Sequence, residues 1–399
     1  MTRTHGLDEA RLERIGEHLV TRYVEPGKVA GCQALVARHG QVAYSRSFGL
    51  ADRERGTPVR DDTIWRIYSM TKPITSVALM TLYERGLFQL TDPVHRFVPV
   101  WRGIKVHEPT DGGERLVDPQ RPPTVRDVLT HTAGLSYGWD PDDPVDQRYA
   151  QADLRSDDVT LEELTRRLGE LPLRYHPGSR WRYSFATDVC ARLVEVISGR
   201  RFGDYLQETI FDPLGMPDTG FVVPDAGRGR FAANYHRLED RTLAVFDDPA
   251  TSPYLEARAM QSGGGGLVST TPDYLRFVEM LRRGGELDGH RVLGPNTIRY
   301  MSRNHLPGGG TLASLTYGPL GQEPMVGVGF GLGFAVTLDP VALQVVASAG
   351  DYYWGGAAAT LFWVDPTEDM VVIFMVQHMQ SPYNFRGQLQ QLVHQAIVS

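Results

Sequence analysis

Strand-forming patterns stand at both ends of this chain with helical ones between them, and that arrangement constrains the fold more than any other feature. Near the start, Ala34-Leu35-Val36-Ala37, a His39-Gly40 turn and Val42-Ala43-Tyr44-Ser45 read as a β-hairpin. Near the end, residues 331–336, 343–347, 358–364 and 370–376 carry strand character, and short polar or Gly-rich links between the last three favour antiparallel pairing. The expected fold is therefore α/β (α+β): one antiparallel sheet built from both chain ends and flanked by helices, plus an inserted all-helical domain. The expected boundaries are 1–95 and 255–399 for the two parts of the α/β domain and 96–254 for the helical domain with its cleft loops. A cleft between such lobes is a usual place for a site.

Helical periodicity fills the rest. Residues 8–24 place Leu12, Ile15, Leu19 and Tyr23 on one face. Thr124-Val125-Arg126-Asp127 resembles a capping box opening a short helix that Gly134 closes. Further helices are expected from Thr160 to about Gly169, over 189–197, over 205–211 and over about 385–398. Residues 222–257 show little periodicity, and an excursion of that length inside a domain is often functional.

Composition excludes several classes. The net charge of −7 carries no nucleic-acid footprint, and Cys32 and Cys190 sit in apolar contexts that suit core thiols. No segment has the length to span a bilayer, and Met1 to Glu9 lack a signal peptide's apolar run, so a cytoplasmic location is the expectation. His-x-x-x-His, His-Glu-x-x-His and Cys-x-x-Cys spacings are absent, so no metal or other cofactor is expected.

The chemistry begins at Ser69-Met70-Thr71-Lys72-Pro73. Ile74, Val77, Ala78, Leu79 and Leu82 recur at helical spacing, and Pro73 suits a first turn, so Ser69 stands at a helix N-terminus that ends near Gly86. Positions i and i+3 share a face, which brings the Lys72 amine within reach of the Ser69 oxygen. Alone, Ser-x-x-Lys also fits an exposed lysine beside a capping serine. The chain has 41 Lys and Arg together but only three lysines, Lys28, Lys72 and Lys105. A lysine kept where arginine is the default suggests a need for an amine that can lose its proton.

Other candidates carry alternatives. Tyr183, on a connection after His176-Pro177-Gly178-Ser179, is either a phenol acting with Lys72 or a tyrosine packed at a lobe boundary. Trp354-Gly355-Gly356-Ala357 is either a bulge or a strand edge that admits substrate against a backbone N–H. His131 reads as a structural hydrogen-bonder. Gly134-Leu135-Ser136-Tyr137-Gly138 matches the nucleophile elbow, yet a helix precedes it where a strand is required, so the match is read as accidental. Gly263-Gly264-Gly265-Gly266 lacks a phosphate-loop lysine and reads as a tight crossing.

Taken together, Ser69-Met70-Thr71-Lys72, Leu129 to Leu135, Tyr183-Ser184-Phe185, Phe211 to Met216, Ser262 to Leu267 and Trp354-Gly355-Gly356 resemble the ordered landmarks of the serine β-lactamase and penicillin-binding-protein superfamily. The nearest resemblance is to its family VIII carboxylesterases, related to class C β-lactamases. The resemblance implies a β-lactamase-like fold and a carboxylesterase working through an acyl-enzyme on Ser69, with Lys72 as activating amine and Tyr183 as proton shuttle. It further implies an oxyanion hole from the N–H groups of Ser69 and Ala357, with Trp354, Gly355, Gly356, Phe185 and Tyr137 as substrate-binding residues. Two departures bear on the substrate, expected to be a small-molecule ester: Trp354-Gly355-Gly356 stands where relatives carry Lys-Thr-Gly, and Phe185 replaces the Asn of Tyr-x-Asn. Both put apolar bulk where polar groups usually stand, favouring neutral short to medium acyl esters. An acyltransferase, an amidase or a weak β-lactamase would use the same site, and a non-catalytic penicillin-recognising module would not need the full set.

Overall fold

The computed structural model describes residues 3–110, 113–316 and 325–399; the leading Met1-Thr2 read above lies outside them. Its main sheet has eight strands, labelled in chain order β1 (Gly31–Arg38), β2 (Gln41–Asp52), β3 (Thr57–Pro58), β4 (Val328–Phe330), β5 (Ala335–Thr337), β6 (Tyr352–Gly355), β7 (Leu361–Asp365) and β8 (Met370–Val376). Their spatial order is β4-β5-β6-β7-β8-β1-β2-β3, antiparallel throughout. The closure between chain ends is the β8–β1 ladder, registered from Met370 opposite Arg38 to Val376 opposite Cys32. The sheet is thus made from both termini, as the two strand-rich ends required.

Both central strands read as unbroken apolar runs because both faces are covered. On β8, Val371, Ile373 and Met375 join one core while Met370, Val372, Phe374 and Val376 join the other. The second core is closed by α1 (Glu9–Leu19), through Leu12, Ile15 and Leu19, and by the C-terminal helix Phe385–His394, through Leu389 and Val393. The first is closed by α2 (Thr71–Glu84) and by the helix Thr271–Arg282, which buries Tyr274, Phe277 and Val278. α2 is buried almost all round, which a central core helix must be. The capping box at Thr124 is present, with Asp127 at its third helical position, and the helix runs Val125–Leu129.

Three sequence expectations need correction. Residues 331–334 are the turn between β4 and β5, and only Ala335 and Val336 of the expected strand are extended: Gly333 takes φ +96, and a Cβ there would stand 2.3 Å from Ser76 Oγ. Residues 343–347 form no strand; Asp339 caps a short helix, Pro340–Leu343, by accepting from Val341 and Ala342 N–H. The excursion 222–257 contains a hairpin, Asn234–Arg237 with Leu243–Asp247, whose inner strand also pairs in parallel with His378–Met379.

Candidate active site

Local chain geometry presents Ser69. Trp65 and Arg66 pair with Ser269 and Val268, and the chain then tightens into a 3₁₀ turn, Tyr68–Met70, that runs into α2. Tyr68 takes φ +43, a left-handed conformation that costs a side-chain-bearing residue about 1–3 kcal/mol and is held here by its surroundings. Its hydroxyl accepts from Asn234 Nδ2 at 2.8 Å. Beneath it Arg66, fully buried, bonds Asp247 Oδ2 at 2.5 Å and the Ala232 carbonyl at 2.6 Å, and its guanidinium lies 3.9 Å above the Phe231 ring. One arginine therefore pins the 222–257 excursion to the strand that leads to Ser69.

Lys72 is 2% exposed. Its Nζ lies 3.1 Å from Ser69 Oγ and donates to the Gly264 carbonyl at 2.5 Å. That carbonyl can approach because the glycine run crosses tightly over two helices. A Cβ on Gly263 would stand 2.7 Å from Ala191 Cβ, and one on Gly264 would stand 2.6 Å from Asp188 Oδ2. The run is the tight crossing its sequence suggested.

Tyr183 comes in just before the helix Ala186–Ser198. Its ring centroid is 4.5 Å from Lys72 Nζ, and its hydroxyl accepts from Trp354 Nε1 at 3.3 Å. No hydrogen bond joins the phenol directly to Ser69 or Lys72 among the described residues. Behind the ring sits His131, 4.9 Å away between centroids, buried, with Ser184 Oγ 3.3 Å from Nδ1 and Thr187 Oγ1 3.4 Å from Nε2. Burial, and then the charge of Lys72, hold the His131 pKa well below the ordinary histidine range, so the ring packs as a neutral hydrogen-bonder.

Trp354 and Gly355 end β6. Gly356 must be glycine because a Cβ would stand 2.6 Å from the Ile67 carbonyl and 2.2 Å from Thr360 Oγ1. The strand end thus abuts the turn that carries the serine, and Ala357 follows at once. The N–H groups of Ser69 and Ala357 donate no hydrogen bond among the described residues. Two cavities meet here, sharing Ser69, Trp139, Tyr183 and Ala357. The smaller, about 390 Å³, is lined by Tyr137, Phe185, Asp188 and Gly264; the larger, about 720 Å³, by Trp354, Gly355, Gly356 and Tyr353. All the sequence-selected residues therefore gather at one place.

Asp188, Arg66 and Trp139 were not singled out in the sequence. Asp188 lies five residues past Tyr183 on the following helix, a spacing that carries no recognisable signal without the glycine run it faces. Ser136, the other motif serine, is 1% exposed, donates to Asp146 Oδ1 at 2.5 Å and accepts from Arg182 Nε at 3.1 Å. Among the described residues no group of His, Cys, Asp or Glu is placed to hold a metal ion, and no helix is long and apolar enough to cross a membrane. Cys32 and Cys190 are free and buried, and burial pushes the Cys32 thiol up to about 12.

A serine with a buried lysine one turn beyond it, set between an antiparallel sheet and helices, defines a penicillin-recognising serine enzyme fold. The chain belongs to the Beta-lactamase family, whose model matches residues 17–395. Among its relatives, Protein Rv1367c of Mycobacterium tuberculosis is 34% identical over 359 residues, covering 89% of this chain and 87% of that one. Esterase EstB of Burkholderia gladioli is 34% identical over 388 residues, covering 93% and 91%. Among solved structures, EstCE1, described as a hydrolase with promiscuous acyltransferase activity, superposes with a TM-score of 0.80 at 27% identity, covering 98% of this chain and 99% of that one.

Proposed function

We propose that this protein is a serine carboxylesterase that hydrolyses neutral small-molecule esters through an acyl-enzyme on Ser69. The observation that carries the reading is the 3.1 Å contact between Ser69 Oγ and the buried Lys72 Nζ at the meeting point of two cavities. With the amine neutral, that contact runs from hydroxyl to nitrogen, so attack of Oγ on the ester carbonyl passes the serine proton to Lys72. The carbonyl oxygen, becoming an oxyanion, is received by the unengaged N–H groups of Ser69 and Ala357. The proton then reaches the departing alkoxide by way of the Tyr183 hydroxyl. Water attacks the acyl-Ser69 carbonyl by the reverse route, giving the carboxylic acid and free serine.

Substrate charge follows from what stands at the strand end. No lysine follows Lys105 in the chain, and Trp354 with Phe185 supplies apolar surface instead. A substrate carboxylate would find no cation on β6 itself, since the arginines lining the cavities, Arg155, Arg258 and Arg386, stand on other segments. The relationship to EstB supports ester hydrolysis. Labelling with a fluorophosphonate and mapping the adduct tests the reading: the adduct is expected on Ser69, and an adduct on Ser136, or turnover surviving Ser69→Ala, would overturn it.

Acyl transfer is the second reading, favoured by the larger cavity, which gives an acceptor alcohol a place beside the acyl group. The promiscuous acyltransferase activity of EstCE1 is consistent with it. Adding a graded series of alcohols and measuring ester formation against acid release separates the two.

A further inference from the structure

The smaller cavity holds two polar atoms that the acyl-enzyme chemistry leaves unused. Asp188, 2% exposed, accepts from Ser262 Oγ at 2.6 Å and from the Gly264 N–H at 3.0 Å, both through Oδ1. Its Oδ2 accepts no hydrogen bond among the described residues, and Tyr137 Oη makes none either. The two oxygens converge. A Cβ built on Gly264 would stand 2.6 Å from Asp188 Oδ2 and 3.1 Å from Tyr137 Oη, so both lie within 3.1 Å of one point. Both residues line the cavity that contains Ser69.

A carboxylate oxygen that faces the cavity with no protein donor is open to a ligand that supplies one. Tyr137 offers the complement. Burial above all, with the Asp188 carboxylate nearby, raises its pKa well above the ordinary tyrosine value, so the phenol keeps its proton and can donate. A fixed acceptor beside a fixed donor matches a hydroxyl group, which does both. The acyl group stays on Ser69 through both half-reactions while the alcohol must leave. The smaller cavity, with its fixed polar wall, suits the group that stays.

We propose that the ester's acyl chain carries a hydroxyl that donates to Asp188 Oδ2 and accepts from Tyr137 Oη, making hydroxyacyl esters the preferred substrate class. This rests on the esterase reading above and adds a specificity to it.

The test compares ethyl butyrate with ethyl α- and β-hydroxybutyrate, and with hydroxyethyl butyrate, on wild type, Asp188→Asn and Tyr137→Phe. Asparagine can keep the Oδ1 bonds to Ser262 and Gly264 while turning Oδ2 into a donor. The readout is the ratio of kcat/KM for a hydroxyacyl ester to kcat/KM for the plain ester. Wild type is expected to favour a hydroxyacyl ester, and the ratio to fall by about tenfold or more in Asp188→Asn, since a site built for a hydroxyl discriminates strongly. Tyr137→Phe is expected to lower it less, and it carries the test should Asp188→Asn fail to fold. A merely structural role would depress both esters together and leave the ratio unmoved. An unmoved ratio with ester turnover intact, or a preference for the hydroxyl on the alcohol side, overturns this proposal alone. No turnover of any ester by wild type overturns the esterase reading, and this proposal with it.

Discussion

Two serines in this chain sit in sequences that resemble nucleophile motifs, and their surroundings could hardly differ more. Ser69 is half-buried at the junction of two cavities, with one polar neighbour that can take a proton, the Lys72 amine at 3.1 Å. Ser136 is sealed, its hydroxyl committed to Asp146 and Arg182. The Arg182–Asp146 pair, at 2.7 Å, neutralises the carboxylate that Ser136 donates to, and Ser136 lines neither of the two cavities that meet at Ser69. A motif therefore identifies a nucleophile only when the fold supplies both a base that is not held in an ion pair and a place for substrate. Ser69 has the two, and Ser136 has neither.

The largest expected effect would break or uphold that contrast outright. Lys72→Ala should cut ester turnover by about a thousandfold or more, as loss of one member of a catalytic unit does, with folding intact by circular dichroism. Lys72→Arg should do nearly as badly, because guanidinium keeps its proton. Turnover within tenfold of wild type in either variant would remove the contrast. Next comes Tyr183→Phe, expected to lower kcat by about a hundredfold or more, in line with losing a proton-transfer group. A change in KM alone would reduce the phenol to packing.

Arg66→Met comes third and tests how the excursion is held. It strips the fully buried partner from Asp247 and the anchor from the Ala232 carbonyl. Removing one side of a buried pair typically costs about 3–5 kcal/mol, which denaturant unfolding would read. Because Tyr254 on the same excursion lines the Ser69 cavity, KM for esters should rise as well. A lower midpoint with unchanged KM would mean that the excursion does not shape the substrate pocket. Fourth, Ser136→Ala should cost about 1–3 kcal/mol by leaving Asp146 one donor short, while kcat on esters stays within a few-fold. Collapse of kcat with full stability would reverse the roles of the two serines.

Much of this was legible from residues alone, and the exceptions have physical causes. Apolar runs located β1 and β8 because each is long and buried throughout, and the His39-Gly40 turn located β2 although its burial is mixed. The 343–347 segment misled because Val345 and Val346 are apolar yet lie outside any strand, with Val346 61% exposed, after Asp339 and Pro340 start a helical turn. The hairpin at 234–247 escaped notice because its strands are four and five residues long with mixed polarity. In the site, Ser69 and Lys72 were legible since one helical turn joins them. Tyr183, Ala357 and the glycine run stood out as candidates, but only resemblance placed them in one site, because their meeting depends on the sheet closing between the chain ends. Asp188 was not legible at all: its meaning lies in an unengaged oxygen, and sequence does not record which bonds a carboxylate makes.

The smallest effect separates the two serines by pH and turns on His131, which packs behind Tyr183 on the Ser69 side. Its folded pKa lies well below 6.5, with burial as the main cause and Lys72 second. The unfolded chain therefore binds a proton near pH 6.5 that the folded chain refuses, and linkage makes stability fall as pH drops below that value. The loss grows steadily as pH falls from 6.5 toward the depressed folded value. His107, His305, His378 and His394 are lowered too and steepen the same slope. Asp351, raised to about 7 by burial, acts oppositely, because its folded form keeps a proton that the unfolded chain releases as pH climbs from 3.8 toward 7. His131→Gln should lessen the fall between pH 6.5 and pH 5, measured by urea unfolding at both, whereas Ser136→Ala should lower stability by the same amount at each. An unchanged slope in His131→Gln would mean that the ring takes up its proton without leaving its place behind Tyr183.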